Sequence, residues 1–290
     1  MRTIHAISEL RAALRPARRH GSTVGLVPTM GALHAGHRSL IEQARDESDV
    51  VVVSVFVNPT QFGKAADLDA YPRDLPADAE LASDAGADLL FAPSVSEMYP
   101  AGHATTVRVD GPLTETLEGA HRGRGHFDGV TTVVSKLLSI VQPDAAYFGQ
   151  KDAQQALVVR RAVRDLDLPV RVVTAPTVRA ADGLALSSRN ARLSADERER
   201  ALSLSAGLRA AADALSAGER DAAALLEAVH APLRAAGVEP EYVALVDPHT
   251  LAPVTAVTTE TLLALAARVG DVRLIDNTVL TPIPDAAATL

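Results

Sequence analysis

The segment 50–57, VVVVSVFV, constrains the fold more than any other part of this chain. It is apolar at every position except Ser54, whereas a strand with one solvated face alternates between apolar and polar residues. A strand that is apolar on both sides is typical of a parallel sheet covered on both faces. The rest of the chain should therefore provide helices for both sides of such a sheet.

Strand and helix patterns alternate around this segment. The sequence predicts an amphipathic helix over residues 3–19. Further strands are predicted at Thr23–Pro28, Asp88–Ala92, Ala145–Gly149 and Val170–Thr174. Further helices are predicted at His37–Arg45, near Asp74–Ala85, near Val130–Val141 and at Ala153–Asp165. This alternation predicts an α/β fold with an open, doubly wound parallel sheet, in which ligands bind beyond the carboxyl ends of the strands.

The pattern changes after Pro176. Two alanine- and leucine-rich helices are predicted at Ala195–Leu215 and Asp221–Ala236, and three strands at Tyr242–Val246, Thr261–Val269 and Val272–Leu280. We therefore predict two domains, 1–177 and 178–290, the second a smaller α+β unit, and a poorly ordered tail after Pro282.

Composition excludes several classes of function. With 36 acidic and 28 basic residues the chain carries a formal charge of -8, which argues against a general nucleic-acid surface. The sequence contains no cysteine, so thiol nucleophiles, thiolate metal sites and disulfides are all excluded. No apolar segment reaches the length of a signal peptide core or a membrane span, and we expect a cytoplasmic protein without a membrane partner.

The segment Val27–His37, VPTMGALHAGH, follows a predicted strand and leads into a predicted helix. The carboxyl edge of a sheet meets the N-terminus of a helix at such a point, which is a natural phosphate site. Gly31 permits a close approach of the backbone, and His34 and His37 face the same way on the first turn of a helix. The segment predicts a nucleotide site with two imidazoles facing one ligand.

Two other interpretations of these histidines stay open. A single histidine in such a position is more often a structural residue. Paired histidines at helical spacing also ligate zinc, but no carboxylate accompanies these two as it does in the helical zinc motif of metalloproteases. We therefore expect no metal bound by the protein itself.

Three further segments carry side chains suited to phosphates or to small polar substrates. In YFGQKDAQQ, Asp152 is placed to cap the next helix and Lys151 to reach a phosphate. In Asp182–Asn190, DGLALSSRN, two hydroxyls and an arginine are phosphate donors on one segment. In NPTQFG, Gln61 offers an amide that can both donate and accept. By itself, each of the three is also compatible with an ordinary polar turn.

Taken together and in this order, the four segments resemble the pantothenate synthetase family, the ligases that join pantoate to β-alanine with ATP. PTMGALHAGH is similar to the HIGH-type signature of the nucleotidylyltransferase superfamily, and LSSRN occupies the place of its KMSKS-type loop. The blocks VNPTQFG, YPRDL, GHFDGV and FGQKDAQQ are more specific, because other members of the superfamily do not share them. The resemblance covers about Val24 to Leu193 and implies a Rossmann-like domain followed by a lid domain.

The resemblance implies a role for each segment. His34 and His37 would donate to the phosphates, with His37 the usual candidate for proton donor, and Lys151 would also face the phosphates. The other implied catalytic residues are Ser187, Ser188 and Arg189. The residues implied to bind ATP are Met30, Gly31, Ala32, Leu33, His34, Ala35, Gly36, His37, Gly149, Gln150, Lys151, Asp152 at the ribose, Val178 at the adenine, Leu186, Ser187, Ser188 and Arg189. The residues implied to bind pantoate are Gln61 and Gln155, with Gln61 also beside β-alanine.

The sequence departs from the family pattern at three positions. Gln150 stands where the family often has glutamate, Ala153 where it often has an aromatic residue, and Leu186 where it often has methionine. None of these changes removes a charged group that the chemistry needs.

The resemblance also implies that ATP is a substrate accompanied by Mg²⁺, and that the protein forms a homodimer. Magnesium would be held chiefly by phosphate oxygens and water, since the sequence shows no acidic cage. Two rival functions remain open at this point: another nucleotidylyltransferase that acts on a phosphate acceptor, and a regulatory protein that binds a nucleotide without turnover.

Overall fold

The computed structural model describes residues 1–282, and the tail predicted to be poorly ordered lies outside these residues. The chain divides into two compact units, Met1–Val178 and a second unit that begins at Arg179. Within residues 1–282, no helix combines the length and the apolar character that crossing a membrane requires.

The first unit contains one parallel sheet. Its strands are β1 (Arg2–Ile4), β2 (Val24–Thr29), β3 (Val50–Val55), β4 (Leu89–Phe91), β5 (Ala145–Gly149) and β6 (Arg171–Ala175). They lie in the order β1-β4-β3-β2-β5-β6, and every neighbouring pair is parallel. The chain moves from β2 towards one edge of the sheet and from β5 towards the other, so the topological switch point lies between β2 and β5.

Helices cover both faces of this sheet. They are α1 (Ile7–Arg19), α2 (Ala35–Glu47), α3 (Ala65–Asp69), α4 (Leu75–Asp84), α5 (Val95–Met98), α6 (Pro112–Glu115), α7 (Glu118–Arg122), α8 (Arg124–Val141) and α9 (Ala153–Asp165). One apolar core lies between the sheet and α1, α8 and α9, and a second lies between the sheet and α2 and α4. The predicted doubly wound α/β fold is confirmed.

Strand β3 shows why its sequence is apolar on both sides. Val52 belongs to the first core, whereas Val51 and Val53 belong to the second, and all three side chains are completely buried. Each face of the strand therefore packs against its own layer of helices. The strand ends at Val55, two residues earlier than the apolar run predicts.

The prediction of a single helix over residues 3–19 is wrong at its start. Residues Arg2–Ile4 form strand β1, which pairs in parallel with β4, and α1 begins only at Ile7. Ile4 fits the helical spacing, but its backbone carbonyl accepts a hydrogen bond from Ala92 beyond the end of β4. A three-residue edge strand of this kind depends on a partner distant in sequence, which local spacing does not reveal.

The second unit is a smaller α+β arrangement. Its elements within the described chain are α10 (Ala195–Ser216), α11 (Ala222–Ala235), β7 (Pro240–Val246), β8 (Thr261–Val269) and β9 (Val272–Leu280). The strands form an antiparallel sheet in the order β7-β8-β9. Helix α10 begins with a reciprocal cap, in which Ser194 and Glu197 each accept a backbone N–H of the other.

Candidate functional site

The predicted site segments of the first unit all follow strands of its parallel sheet. VPTMGALHAGH spans the end of β2, NPTQFG follows β3, and GQKDAQQ follows β5. Val178, the residue implied to contact adenine, follows β6 and is the last residue of the first unit. Because these strands are parallel neighbours, their carboxyl ends bring the segments to one edge of the sheet, around the switch point.

The turn between β2 and α2 has an unusual backbone. Gly31 has φ +87° and the next residue, Ala32, has φ 51°, so two consecutive residues are left-handed. A non-glycine residue in this region costs about 1–2 kcal/mol, which surrounding contacts must offset. Thr29 helps at the start of the turn, since its hydroxyl donates to the Ser54 carbonyl and accepts from Gly31 N–H.

A buried carboxylate holds the middle of the turn. Asp78, on helix α4, accepts hydrogen bonds from Ala32 N–H at 3.1 Å and from Leu33 N–H at 2.7 Å. Its residue is 3% exposed, and burial raises the pKa of the carboxyl above its ordinary value. A side chain at Gly31 would also collide with it, because a Cβ there would lie 2.8 Å from Asp78 Oδ2.

The two histidines form the N-terminal cap of α2. His34 is the N-cap residue, and its Nδ1 accepts from Gly36 N–H at 3.1 Å. The Nδ1 atom of His37 accepts from the backbone N–H of His34 at 3.3 Å. The two ring centroids are 4.2 Å apart, so the imidazoles lie side by side as the spacing predicts.

These hydrogen bonds fix the protonation of both rings. Burial, together with the charges of His34 and Lys151, lowers the pKa of His37 to about 3. Burial and the charge of Lys151 also lower the pKa of His34. Since Nδ1 accepts a backbone N–H in each neutral ring, the proton must be on Nε2. The site therefore presents two uncharged Nε2–H donors.

The segment after β5 lies near these rings. Gln150–Asp152 form a 3-10 turn between Gly149, the last residue of β5, and the first residue of α9. The charges of Lys151 and Asp152 act on the pKa of both histidines, Lys151 lowering it and Asp152 raising it. Asp152 occupies the N-cap position of α9 as predicted, but its side chain makes no capping hydrogen bond, so the predicted cap is not formed.

Gln61 is held in a second turn, a 3-10 turn from Pro59 to Gln61. Its Oε1 accepts from Asn58 Nδ2 at 3.0 Å, and its Nε2 lies 3.0 Å from Met30 Sδ in the first turn. Its carbonyl is 2.9 Å from Nδ1 of His126 on α8. Helix α8 approaches so closely at Gly129 that a Cβ there would lie 2.7 Å from Gln61 N.

Two adjacent glutamines on α9 have different environments. Gln154 is 6% exposed; its Oε1 accepts from Glu118 N–H, and its Nε2 donates to the carbonyls of Leu113 and Thr116. Gln155 is half-buried, and within residues 1–282 its amide makes no hydrogen bond. Gln154 is therefore a structural residue, whereas the amide of Gln155 takes no part in the hydrogen bonds of the described residues.

The segment LSSRN lies in the second unit. Ser187 caps a 3-10 turn over Ser188–Arg192 and accepts from Arg189 N–H at 3.3 Å. Asn190 Nδ2 donates to the carbonyl of Ala185. Just upstream, Arg179 forms a two-pronged ion pair with Asp276 of β9, at 2.7 and 3.0 Å. The loop that carries the two serines is thus tied to the small sheet of its own unit.

Three residues to which the sequence assigned no role also shape the site. Asn58 is 1% exposed and links Gln61 to the carbonyl of Gly129 at 3.1 Å, while Asp78 and His126 hold the two turns. Asn58 directly follows the apolar run 50–57, which is a usable signal. Asp78 and His126 are separated in sequence from the turns that they hold, by 45 and 65 residues, so only the tertiary fold identifies their partners.

The chain is similar to known proteins over nearly its whole length. The pattern of the family described as pantoate-beta-alanine ligase matches residues 2–279. A pantothenate synthetase from Moorella thermoacetica is 55% identical over 281 residues, which cover 97% of this chain and 99% of the relative. One from Pseudomonas fluorescens is 52% identical over 278 residues, which cover 96% and 97% of the two chains.

Solved structures show the same relationship. The crystal structure of pantothenate synthetase from Thermus thermophilus has a TM-score of 0.92 at 51% identity and covers 97% of this chain and 100% of that chain. A pantoate-beta-alanine ligase from Francisella tularensis, complexed with beta-gamma ATP and beta-alanine, has a TM-score of 0.80 at 35% identity, covering 96% and 97%. The chain described here belongs to the pantoate-beta-alanine ligase family.

Proposed function

We propose that this chain joins (R)-pantoate to β-alanine, consuming ATP and releasing AMP and pyrophosphate, through a pantoyl adenylate. The observation that carries this proposal is the pair of uncharged Nε2–H donors of His34 and His37, close to Lys151 at the switch point of the sheet. Family membership supplies the identity of the substrates, because the site geometry alone supports only a nucleotide.

In the first half-reaction the pantoate carboxylate attacks the α-phosphorus of ATP. A carboxylate is already ionised near pH 7, since its reference pKa is about 4, so this step needs no general base. It needs in-line placement of two anionic reactants and stabilisation of negative charge on the phosphates. We assign the charge stabilisation to Lys151 and to the Nε2–H groups of His34 and His37.

The protonation of His37 limits the role it can play. With its pKa near 3 in the protein without ATP, the ring of His37 is uncharged at neutral pH when the nucleotide arrives. We therefore assign His37 a hydrogen bond to phosphate oxygen that strengthens as charge moves to the departing pyrophosphate. This contribution belongs to preorganised electrostatic stabilisation rather than to general acid catalysis.

Pantoate would be recognised by the amides of Gln61 and Gln155. An amide both donates and accepts, which suits the hydroxyl and carboxylate oxygens of pantoate. Gln61 is oriented by Asn58 through Oε1 and by Met30 Sδ through Nε2, which leaves the second N–H of Nε2 for pantoate. Gln155 has no competing hydrogen bond within residues 1–282.

Magnesium would enter with ATP. Within the described part of the chain, no group of three histidine, aspartate or glutamate side chains is placed to hold a metal ion. Mg²⁺ keeps several waters and is commonly held by substrate phosphates, and when bound it would neutralise phosphate charge. Lys151 and the histidines would then supply only the protein's share of that neutralisation.

In the second half-reaction the neutral amine of β-alanine attacks the pantoyl adenylate, and AMP leaves. The mixed anhydride must be protected from water until that attack. We assign this protection and part of the polyphosphate binding to Leu186–Arg189 of the second unit, acting as a lid. We also propose that the protein works in the cytoplasm as a homodimer, on small molecules and not on nucleic acid; its charge of -8 supports the last point.

Isotope exchange between pyrophosphate and ATP separates this function from that of another nucleotidylyltransferase. A phosphorylated acceptor would require more cationic groups than the amides of Gln61 and Gln155. The proposal predicts exchange that depends on pantoate. Exchange that proceeds equally well without pantoate, or that pantoate fails to support, would overturn it.

A further inference from the structure

The carboxylate of Asp78 is a buried ionisable group in contact with the turn between β2 and α2. The proposed chemistry does not use this carboxylate. It reaches the turn from helix α4 and accepts the N–H groups of Ala32 and Leu33, at 3.1 and 2.7 Å. At 3% exposure it has little contact with solvent. A buried carboxylate of this kind persists only where its hydrogen bonds compensate for desolvation.

The hydrogen bonds of the turn show what this carboxylate does. Gly31 N–H donates to the Thr29 hydroxyl, and the next two N–H groups donate to Asp78. At the start of α2, Gly36 N–H donates to the His34 ring and His37 N–H to the His34 carbonyl. These backbone N–H groups already donate to acceptors within the protein. The turn therefore differs from a glycine-rich loop whose N–H groups bind phosphate. The imidazole Nε2–H groups of His34 and His37 are donors at this point that no acceptor of the described chain occupies.

We propose that Asp78 is a positioning residue for nucleotide binding. Its carboxylate accepts backbone N–H groups of the turn and thereby fixes the positions of His34 and His37 at the start of α2. Its two oxygens hold Ala32 in the left-handed conformation, and Leu33 leads directly into the cap residue His34. The effect on ATP chemistry rests on the proposed function, whereas the effect on the backbone does not.

Aspartate is suited to this place by geometry. Both carboxylate oxygens accept, so two neighbouring N–H groups can be satisfied by one side chain. An asparagine of the same shape would place an NH₂ group against one of these N–H groups. The carboxylate also lies against Gly31, where even a methyl group would approach Oδ2 to 2.8 Å. Asp78 and Gly31 therefore fit each other closely.

The test compares Asp78→Asn with Glu80→Gln, which removes one negative charge from an exposed position on the same helix. Three properties are measured on the full-length protein: the melting temperature, the amide proton resonances of Ala32 and Leu33, and the kcat and KM for ATP in pantoate-dependent pyrophosphate exchange. A double variant, Ala32→Gly/Asp78→Asn, is included because glycine adopts a positive φ without steric cost.

We expect Asp78→Asn to shift both amide resonances and to lower kcat about 10- to 100-fold, with a smaller change in KM, since displaced histidines weaken transition-state contacts. Glu80→Gln should match the wild type, and the double variant should recover part of kcat. If Asp78→Asn does not fold, the double variant takes its place against Glu80→Gln.

Two results would overturn the proposal. One is an Asp78→Asn protein with wild-type kcat, and the other is a loss of activity that only follows the fraction of unfolded protein. If the wild type itself shows no exchange, the proposed function fails. The amide resonances of Ala32 and Leu33 then test the positioning role by themselves. Unchanged resonances in Asp78→Asn would contradict that role, and shifted resonances would support it.

Discussion

The ring of His126 is hydrogen-bonded to the backbone carbonyl of Gln61, with 2.9 Å between Nδ1 and the oxygen. Burial, together with the charge of Arg122, lowers the pKa of His126 to about 4, so the ring is uncharged at neutral pH. Because a carbonyl only accepts, Nδ1 must carry the proton. A neutral histidine on α8 thus fixes the turn that carries the proposed pantoate ligand.

Replacement of His126 should affect pantoate more than ATP. His126→Ala removes the donor to the Gln61 carbonyl and leaves the side-chain contacts of Gln61 with Asn58 and Met30 in place, so we expect KM for pantoate to rise about tenfold. His126→Asn keeps an N–H donor at a similar distance and should recover most of that loss. Steady-state kinetics with pantoate varied at saturating ATP measures both. Equal KM values for the alanine variant and the wild type would show that the contact does not orient Gln61.

The same histidine makes stability depend on pH. Its pKa is about 4 in the folded protein against 6.5 for the ordinary group, so the unfolded chain takes up a proton first as the pH falls. The stability that the protein gains from keeping His126 neutral is complete above about pH 6.5 and is lost progressively between about pH 6.5 and 4. His126→Asn should lose less stability than the wild type over that interval.

Urea unfolding at pH 7.5 and pH 5 measures the difference. His249→Asn is the matched control, because His249 is exposed, and it should keep the pH dependence of the wild type. His37, whose pKa is also lowered, is retained in every variant, so its contribution cancels in the comparison. A His126→Asn protein with an unchanged pH dependence would contradict the assignment of a neutral, buried His126.

Gln154 and Gln155 provide a comparison within one helix turn. Gln155→Ala should leave the melting temperature nearly unchanged and raise KM for pantoate, because its amide makes no hydrogen bond within residues 1–282. Gln154→Ala leaves one buried N–H and two carbonyls without their partner, so we expect the free energy of unfolding to fall by about 1–3 kcal/mol. Thermal unfolding and pantoate kinetics are measured on both variants. A loss of stability in Gln155→Ala, together with a higher KM for pantoate alone in Gln154→Ala, would contradict the assigned roles.

The first half-reaction should depend strongly on the donors at the switch point. His37→Ala and Lys151→Ala should each slow adenylate formation about 100- to 1000-fold, the usual effect of removing a preorganised donor to a charged transition state. Rapid-quench measurement of the adenylate in a single turnover gives the rate directly. Lys64→Ala, at an exposed lysine, serves as the control. If either variant forms adenylate at a near-normal rate, the replaced residue does not have its assigned role.

Regular elements of this chain could be predicted where the local pattern is complete. The bounds of β5, α9, β8 and β9 agree with the sequence prediction, because apolar residues recur along the whole length of each element. Strand β1 could not be predicted, since three residues carry too little pattern and their partner strand lies far along the chain. Helix α8 begins at Arg124, six residues before the predicted start, because its first turn is polar and glycine-containing.

The site shows the same division. The three-residue spacing of His34 and His37 predicted that their rings would lie together, and the ring centroids are 4.2 Å apart. Their protonation could not be predicted, because it depends on which backbone N–H groups the Nδ1 atoms accept. The hydrogen bonds by which Asp78 and His126 hold the two turns could not be predicted for a related reason. Each acts on backbone atoms of a distant segment, and backbone contacts leave no signature in the side-chain sequence.

Formation of pantothenate from pantoate, β-alanine and ATP by the purified protein tests the central claim most directly. The account predicts that pantothenate, AMP and pyrophosphate appear in equal amounts, and that omission of any one substrate abolishes pantothenate. ATP binding without any pantothenate, under conditions in which the protein is folded, would contradict the account and favour a nucleotide-binding protein without turnover.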